Sequence, residues 1–330
     1  MRSARTSRRL LTIPLVVALH VVLVVTAPLT AAVAAVVGLA VRSTRPVRSV
    51  ILVASYSALE LVTLVRIAGL RRRGAAEDEW QDLMRWVAAS GETTLRRVLG
   101  IRTEIEPGSP SPSTVAAADG LVVLARHAGP GDTLLIAWLL VVHYRLRLQI
   151  VLKRLLRVVP AIDLAGDALP FCFVGARRRA ARAGIARLAG ELSRGDALLL
   201  FPEGGNFSRK RWHRSFDALA RMGALDRVRR LRRNRHTLPP HVAGVVAAVT
   251  AAPRASVLLL AHSGLGPAGE ARPWWRLPLR HRVVIRTLLV EPEDVPRDPD
   301  AVPAWLDEMW TRVDTWVDSH AALDSASRVV

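Results

Sequence analysis

The sequence holds a single cysteine, Cys172, and almost no lysine. One cysteine excludes a disulfide framework within the chain, a cysteine-based zinc site and a C-x-x-C redox pair. There is no Gly-x-Ser-x-Gly elbow, which counts against an α/β-hydrolase. A phosphate-cradling glycine loop and an H-E-x-x-H pair are absent as well. The commonest nucleotide-binding, metalloprotease and serine-hydrolase motifs are therefore excluded.

Acidic residues are also scarce, with 28 Asp and Glu against 47 Lys and Arg among 330 residues. The formal net charge of +19 favours a polyanionic partner, either nucleic acid or an anionic membrane surface. A mean hydropathy of +0.24 and 51% apolar residues favour the membrane. Anionic membrane lipids are therefore expected partners, and nucleic acid is not.

The apolar residues are concentrated near the amino terminus. Residues 10–41 carry no charged side chain, and about 20 apolar residues suffice to cross a bilayer. A signal peptide is the alternative interpretation, but its apolar region usually has only about 7–15 residues. A second apolar segment, 50–70, contains Glu60 and Arg66. It is either the second arm of a membrane hairpin or a helix lying in the interface.

We therefore expect residues 1–73 to anchor the chain in a cell membrane through one or two transmembrane helices. The remainder, residues 74–330, is expected to form one domain on the cytoplasmic side, because basic residues flank the apolar segments.

Apolar runs of strand length alternate with helical patterns in this second part of the chain. The strand candidates are residues 121–125, 148–152, 171–174, 197–201, 256–261 and 283–290. The helix candidates are residues 77–99, 132–144 and 176–193. Such alternation predicts an α/β domain with a largely buried sheet.

A histidine and an aspartate follow the first of these strands, as His127-Ala-Gly-Pro-Gly-Asp132. Gly129, Pro130 and Gly131 predict a tight turn that folds Asp132 back towards the imidazole. A carboxylate on one ring nitrogen fixes the tautomer and leaves the other nitrogen as a general base. Alternatively, Asp132 only caps the amino terminus of the next helix.

A second carboxylate follows another buried strand, in Phe201-Pro202-Glu203-Gly204. Both motifs are expected at the same edge of the sheet, where α/β proteins bind ligands. In this order, and about seventy residues apart, the two motifs resemble those of the lysophosphatidic acid acyltransferase family of glycerolipid acyltransferases.

The resemblance implies a glycerolphosphate-acyltransferase-like sheet flanked by helices. It implies transfer of a fatty acyl group from acyl-CoA or acyl-carrier protein to the free hydroxyl of a lysophospholipid, above all 1-acylglycerol-3-phosphate. His127 and Asp132 would be catalytic, and neither a metal nor a cofactor would be needed. The substrate-binding residues that it implies are Arg177, Arg178, Phe201, Pro202, Glu203, Gly204 and Gly205.

One departure concerns the residues after Gly204, since Gly205 and Asn206 stand where the family usually has threonine and arginine. Residues 209–211, Arg-Lys-Arg, are candidates to replace that arginine. The alternative to a phosphate contact by Arg177 is that residues 177–182 form a solvated basic helix face. The alternative function is a non-catalytic basic membrane protein that binds anionic lipids. The histidines at 143, 213, 236, 241, 262 and 281 are interpreted as surface or core residues. The sequence predicts no oligomeric state.

Overall fold

The computed structural model describes residues 2–129, 131–175, 177–265, 279 and 281–321. They cluster into two compact units. The first is built mainly from the chain up to Ile101 together with Lys153–Phe171. The second contains Arg102–Leu152 and most of the chain after Cys172. The domain boundary expected at residue 73 stays a prediction.

Helices and strands alternate through most of the described chain. The helices are α1 (Arg2–Val25), α2 (Ala27–Ala40), α3 (Arg45–Arg72), α4 (Glu77–Thr94), α5 (Pro112–Ala117), α6 (Asp132–Trp138), α7 (Pro160–Ala165), α8 (Arg178–Gly190), α9 (Arg209–Arg221), α10 (Leu225–Leu231), α11 (Val242–Ala251) and α12 (Val302–Ser319). The strands are β1 (Arg102–Ile105), β2 (Leu121–Ala125), β3 (Arg147–Lys153), β4 (Phe171–Val174), β5 (Asp196–Leu200), β6 (Ser256–Ser263) and β7 (Arg282–Val290).

The strands form one sheet in the order β1-β7-β6-β2-β5-β3-β4. β2 lies between β5 and β6 and is parallel to both, and β3 is parallel to β5. Every residue of β2, β5 and β6 is buried, as expected where helices cover both faces of parallel strands. The carboxyl ends of these strands therefore lie side by side at one edge. The predicted α/β class is confirmed.

The predicted strands agree closely with the observed ones, with small corrections. The strand expected at 197–201 ends at Leu200, so that Phe201 already belongs to the following turn. The helix expected at 77–99 is α-helical to Thr94 and ends as a π-helical turn, Leu95–Leu99.

The core of the second unit lies between the central strands and α8, α11 and α12. Leu188, Val249 and Trp310 are fully buried against the apolar side chains of β2, β5 and β6. Next to this core, α12 contacts α10 through Asp307, whose side chain is fully buried. Its carboxylate accepts hydrogen bonds from Arg227 and Arg230.

In the first unit, the segments Arg8–Val25 of α1 and Arg45–Arg72 of α3 are long and apolar enough to cross a membrane by length and composition. The two helices are linked by a hydrogen-bond contact of 3.0 Å between His20 Nδ1 and Ser57 Oγ. Most apolar side chains of α1 and α2, and several of α3, are exposed.

In the first unit, α3 also packs against α4 along most of the length of α4. Near the end of α3, Arg73 forms an ion pair of 2.8 Å with Glu79. One to two turns earlier, the Arg66 guanidinium lies 3.9 Å from the centre of a Trp86 ring. Near the beginning of α3, the Arg48 side chain donates a hydrogen bond to the carbonyl of Val98. The two helices therefore run antiparallel.

We predict that Asp307→Ala destabilises the second unit by roughly 2 kcal/mol, because it leaves the largely buried Arg227 guanidinium without its carboxylate. Glu308→Ala is the matched control, since Glu308 and Arg312 are both 60% exposed and an exposed pair contributes about 0–1 kcal/mol. Thermal unfolding of both variants checks this expectation. Equal melting temperatures for the two variants would show that the Asp307 network contributes nothing.

Candidate active site

His127 follows the carboxyl end of β2, and its backbone is held on both sides. Its N–H donates to Glu203 Oε1 at 3.0 Å, and its carbonyl accepts from Phe207 N–H at 3.0 Å. The imidazole packs on the Phe201 ring, with 4.7 Å between the ring centres. The side chain is 20% exposed, so that the ring remains accessible to a substrate.

Asp132 is brought against His127 by the turn between β2 and α6. Its Oδ2 lies 2.9 Å from His127 Nδ1 and accepts hydrogen bonds from the N–H groups of Ala128 and Gly129, at 2.8 and 3.0 Å. Gly131 takes a left-handed φ of +93°, which favours glycine. Pro130 lies outside the described residues. The structure therefore confirms the predicted approach of the Asp132 carboxylate to the imidazole of His127.

The interpretation of Asp132 as a helix cap is wrong. Gly131 occupies the cap position, and Asp132 is the first residue of α6. Its carboxylate accepts N–H groups that precede the helix rather than those of the first helical turn.

Asp132 is ionised, although its side chain is only 1% exposed. Burial alone would raise its pKa. The hydrogen bond from His127, the electrostatic interactions with His262 and His127 and the N–H of Gly129 together lower the pKa of Asp132 below its ordinary value. An ionised carboxylate can only accept, so the hydrogen on the His127 ring belongs on Nδ1. The Nε2 atom is then the one with a free lone pair.

Glu203 connects the two chain segments around the site. The residue is 3% exposed, and its oxygens accept the N–H groups of His127 at 3.0 Å and Leu238 at 2.8 Å. Burial raises the pKa of Glu203 to about 8, although both hydrogen bonds and the nearby Arg126 oppose the shift. Both oxygens are thus engaged with backbone groups, which supports an organising role. Its predicted contact with substrate stays a prediction.

The turn around Glu203 packs tightly on the segment that precedes α11. The carbonyl of Pro202 accepts a hydrogen bond of 2.7 Å from His241 N–H. Gly204 has a φ of +65°, and a Cβ at this position would lie 2.8 Å from His241 Cδ2. Only glycine fits both the conformation and the space here.

A buried arginine and a second histidine lie beside His127 and Asp132, and their place at the site was not predicted from the sequence. Arg126, 2% exposed, donates to the carbonyls of His262 and His236. His262 is fully buried, with its Nε2 3.9 Å from Asp132 Oδ2. Ala125 of β2 pairs with Leu260 of β6, so two residues further His262 faces His127. His262 is therefore a core histidine as predicted, but one beside the site.

A cavity of about 760 Å³ adjoins the Glu203 turn through His241. Its wall is largely apolar and includes Ile185, Leu219 and Val242. Basic side chains surround this wall, namely Arg178, Arg182, Arg211, Arg214 and Arg227. Of these five, Arg178 is a predicted substrate-binding residue, and Arg211 is a candidate to replace the arginine that the family motif has after Gly204.

The structure places two of the predicted arginines differently, and the binding roles of both stay predictions. Arg211 Nη1 donates to the carbonyl of Asn206 at 3.0 Å. The Arg211 side chain therefore lies beside the position where the family usually has an arginine. Arg177 is exposed immediately before α8 and does not line the cavity. Its role in binding substrate stays a prediction. Among the residues that the structure describes, no three metal-ligating side chains are grouped as a metal site requires.

We predict that the stability of the protein falls by roughly 2 kcal/mol from about pH 6 to about pH 8, because the folded state holds the Glu203 proton more tightly than the unfolded chain does. The acid has its ordinary pKa when unfolded, so the loss begins above that value and ends near pH 8. Glu203→Gln cannot titrate and should lack this component, which melting curves across the pH range measure. An equal pH dependence in both proteins would refute the assignment.

Comparison with known proteins agrees with this geometry. Residues 109–247 match the family model described as Acyltransferase. The crystal structure of the 1-acyl-sn-glycerophosphate (LPA) acyltransferase PlsC from Thermotoga maritima is similar, with a TM-score of 0.50 and 15% sequence identity, over 79% of this chain and 88% of that chain. No curated protein matches by sequence. The predicted resemblance agrees with the match of residues 109–247 to the Acyltransferase model, and the fold is similar to that of PlsC.

Proposed function

We propose that this protein transfers a fatty acyl group from an acyl thioester to the free hydroxyl of a lysophospholipid, most specifically 1-acylglycerol-3-phosphate. The observation that carries the proposal is the buried, ionised Asp132 on Nδ1 of His127, inside an acyltransferase-family domain. The thioester is acyl-CoA or acyl-carrier protein, and both donors suit the same chemistry.

His127 Nε2 takes the proton from the acceptor hydroxyl as the oxygen attacks the thioester carbonyl. The tetrahedral intermediate then expels the thiolate, which receives the proton from His127. Asp132 stabilises the imidazolium that exists between these two proton transfers. The N–H groups of Ala128 and Gly129 already bind Asp132, so the first turn of α6 is the better candidate for stabilising the oxyanion. No metal or cofactor takes part in this proposal.

The cavity beside His241 is the proposed site for the acceptor. A lysophospholipid carries an anionic phosphate and an apolar chain, and the cavity combines arginines with an apolar wall. Arginine suits the phosphate because its planar guanidinium donates two parallel hydrogen bonds. Arg211 is the best placed, since its contact with Asn206 ties it to the loop that follows Glu203 and Gly204.

The apolar faces of α1, α2 and α3 support attachment to a membrane. The pairing of α3 with α4 argues against carrying α3 across the bilayer, because α4 and the turn after it bear exposed charges such as Asp82 and Arg96. Each charge at the centre of a bilayer costs about 2.5–3.5 kcal/mol. We therefore favour insertion of these helices from the cytoplasmic side, without a complete crossing by α3.

We predict that His127→Ala and Asp132→Asn lower kcat by about 10²–10⁴-fold, since each removes part of the general base. Asp318→Asn is the matched control, because Asp318 contacts His236 at 2.8 Å in a similar pair but is 68% exposed. The assay is labelled acyl transfer to 1-acylglycerol-3-phosphate, with folding checked by circular dichroism.

Turnover that survives in His127→Ala would contradict the mechanism. If the wild-type protein itself transfers no acyl group but binds anionic vesicles in a salt-sensitive way, the alternative of a non-catalytic lipid-binding protein is supported instead.

We also predict that Arg178→Ala and Arg211→Ala each raise KM for 1-acylglycerol-3-phosphate by roughly tenfold, because a hydrogen bond to a charged group contributes about 1.5–3 kcal/mol. KM for a neutral monoacylglycerol, if it is accepted, should change little. Arg229→Ala is the control, since Arg229 is exposed, pairs with Asp226 and does not line the cavity. Equal effects on both acceptors would contradict a phosphate contact.

A further inference from the structure

A short turn in the first unit presents apolar side chains to solvent. Residues Arg154–Val158 form a 3₁₀ turn directly after β3. Leu155 is 79% exposed, Val158 48% and Leu156 36%. The neighbouring Lys153 and Arg154 are exposed as well, and this segment contains no acidic residue. The turn therefore combines protruding apolar groups with positive charge.

The turn is fixed to the rest of the first unit by the segment that follows it. The carboxylate of Asp163, with only 2% of the side chain exposed, accepts hydrogen bonds from Arg8, Arg9 and Arg157. Arg157 belongs to the turn itself, and its carbonyl accepts a further bond from Arg8. The turn thus has a defined position beside the beginning of α1.

Two more contacts join the same segment to α3. The carboxylate of Asp167 lies 2.9 Å from Arg9 and 2.7 Å from Arg71. The N–H of Ala161 donates to Glu60 Oε1 at 2.9 Å. The segment is therefore held by both long apolar helices, and the exposed side chains of the turn do not result from a loosely attached loop.

We propose that Lys153–Val158 is a second membrane-contacting element, which inserts Leu155, Leu156 and Val158 into an anionic lipid surface. Exposed apolar groups beside lysine and arginine suit the boundary between headgroups and acyl chains, where the cations meet anionic lipid. Two acidic residues lie after the turn, Asp163 and Asp167, and both are bound by arginines.

The apolar beginning of α1 favours a bilayer over a protein partner. Leu10, Leu11 and Leu15 are each more than 70% exposed, just after the two arginines that bind Asp163 and Asp167. A lipid surface would cover these leucines as well as the turn, and it requires no groove of matching shape. The proposal concerns lipid contact alone and does not depend on the proposed reaction.

The test uses full-length protein carrying Leu155→Cys in a Cys172→Ser background, labelled with an environment-sensitive fluorophore. Asp119→Cys in the same background is the control, because Asp119 is 57% exposed and lies in a bend just before β2. Both proteins are reconstituted with vesicles of phosphatidylcholine and phosphatidylglycerol that include a lipid bearing a nitroxide quencher.

We expect the label at position 155 to lose most of its emission to the lipid quencher and the label at 119 to lose almost none. Quenching at 155 should weaken when phosphatidylglycerol is omitted. Equal quenching at the two positions would overturn the proposal, as would quenching that is independent of phosphatidylglycerol. Absence of quenching at 155, together with oxidative cross-linking of two chains of the unlabelled Leu155→Cys, Cys172→Ser protein, would overturn it in favour of a contact between copies. A catalytically inactive protein still gives a decisive result.

Discussion

The hydrogen bonds to one carboxylate oxygen of Asp132 are the interaction on which the site depends. This oxygen accepts from the His127 ring and from two backbone N–H groups of the same turn. Because these donors are fixed, the buried acid stays ionised, and the far nitrogen of the neutral imidazole keeps its free lone pair. The left-handed glycine at 131 allows the chain to bring the acid back to the histidine.

The parallel central strands bring the buried polar groups around this pair together. Glu203 follows β5, His262 is the penultimate residue of β6 and His127 follows β2, so three neighbouring strands place these polar residues at one edge of the sheet. Burying such groups is costly unless they are hydrogen-bonded. Glu203 reduces that cost by accepting two backbone N–H groups, and in doing so it joins the turn after β5 to the backbone of His127.

The sequence was informative where the pattern is local. Long apolar runs predicted the central strands almost to the residue, and the glycine-rich turn predicted the approach of Asp132 to His127. The short strand β1 has only one apolar residue, and the charged α9 and α10 lack long apolar runs, so none of the three was predicted. His262 and His241 reach the site only through strand register and loop packing between distant segments, which spacing along the chain does not encode.

The tautomer of His127 is the property that tests this account most directly. Nitrogen NMR of protein labelled with ¹⁵N at its histidines, with His127→Gln used to assign the signal, reads the protonation of each ring nitrogen. For the neutral imidazole we expect a protonated Nδ1 and an unprotonated Nε2, because the ionised Asp132 accepts from Nδ1. A hydrogen on Nε2 with a bare Nδ1 would contradict the assignment of His127 as the base that Asp132 prepares.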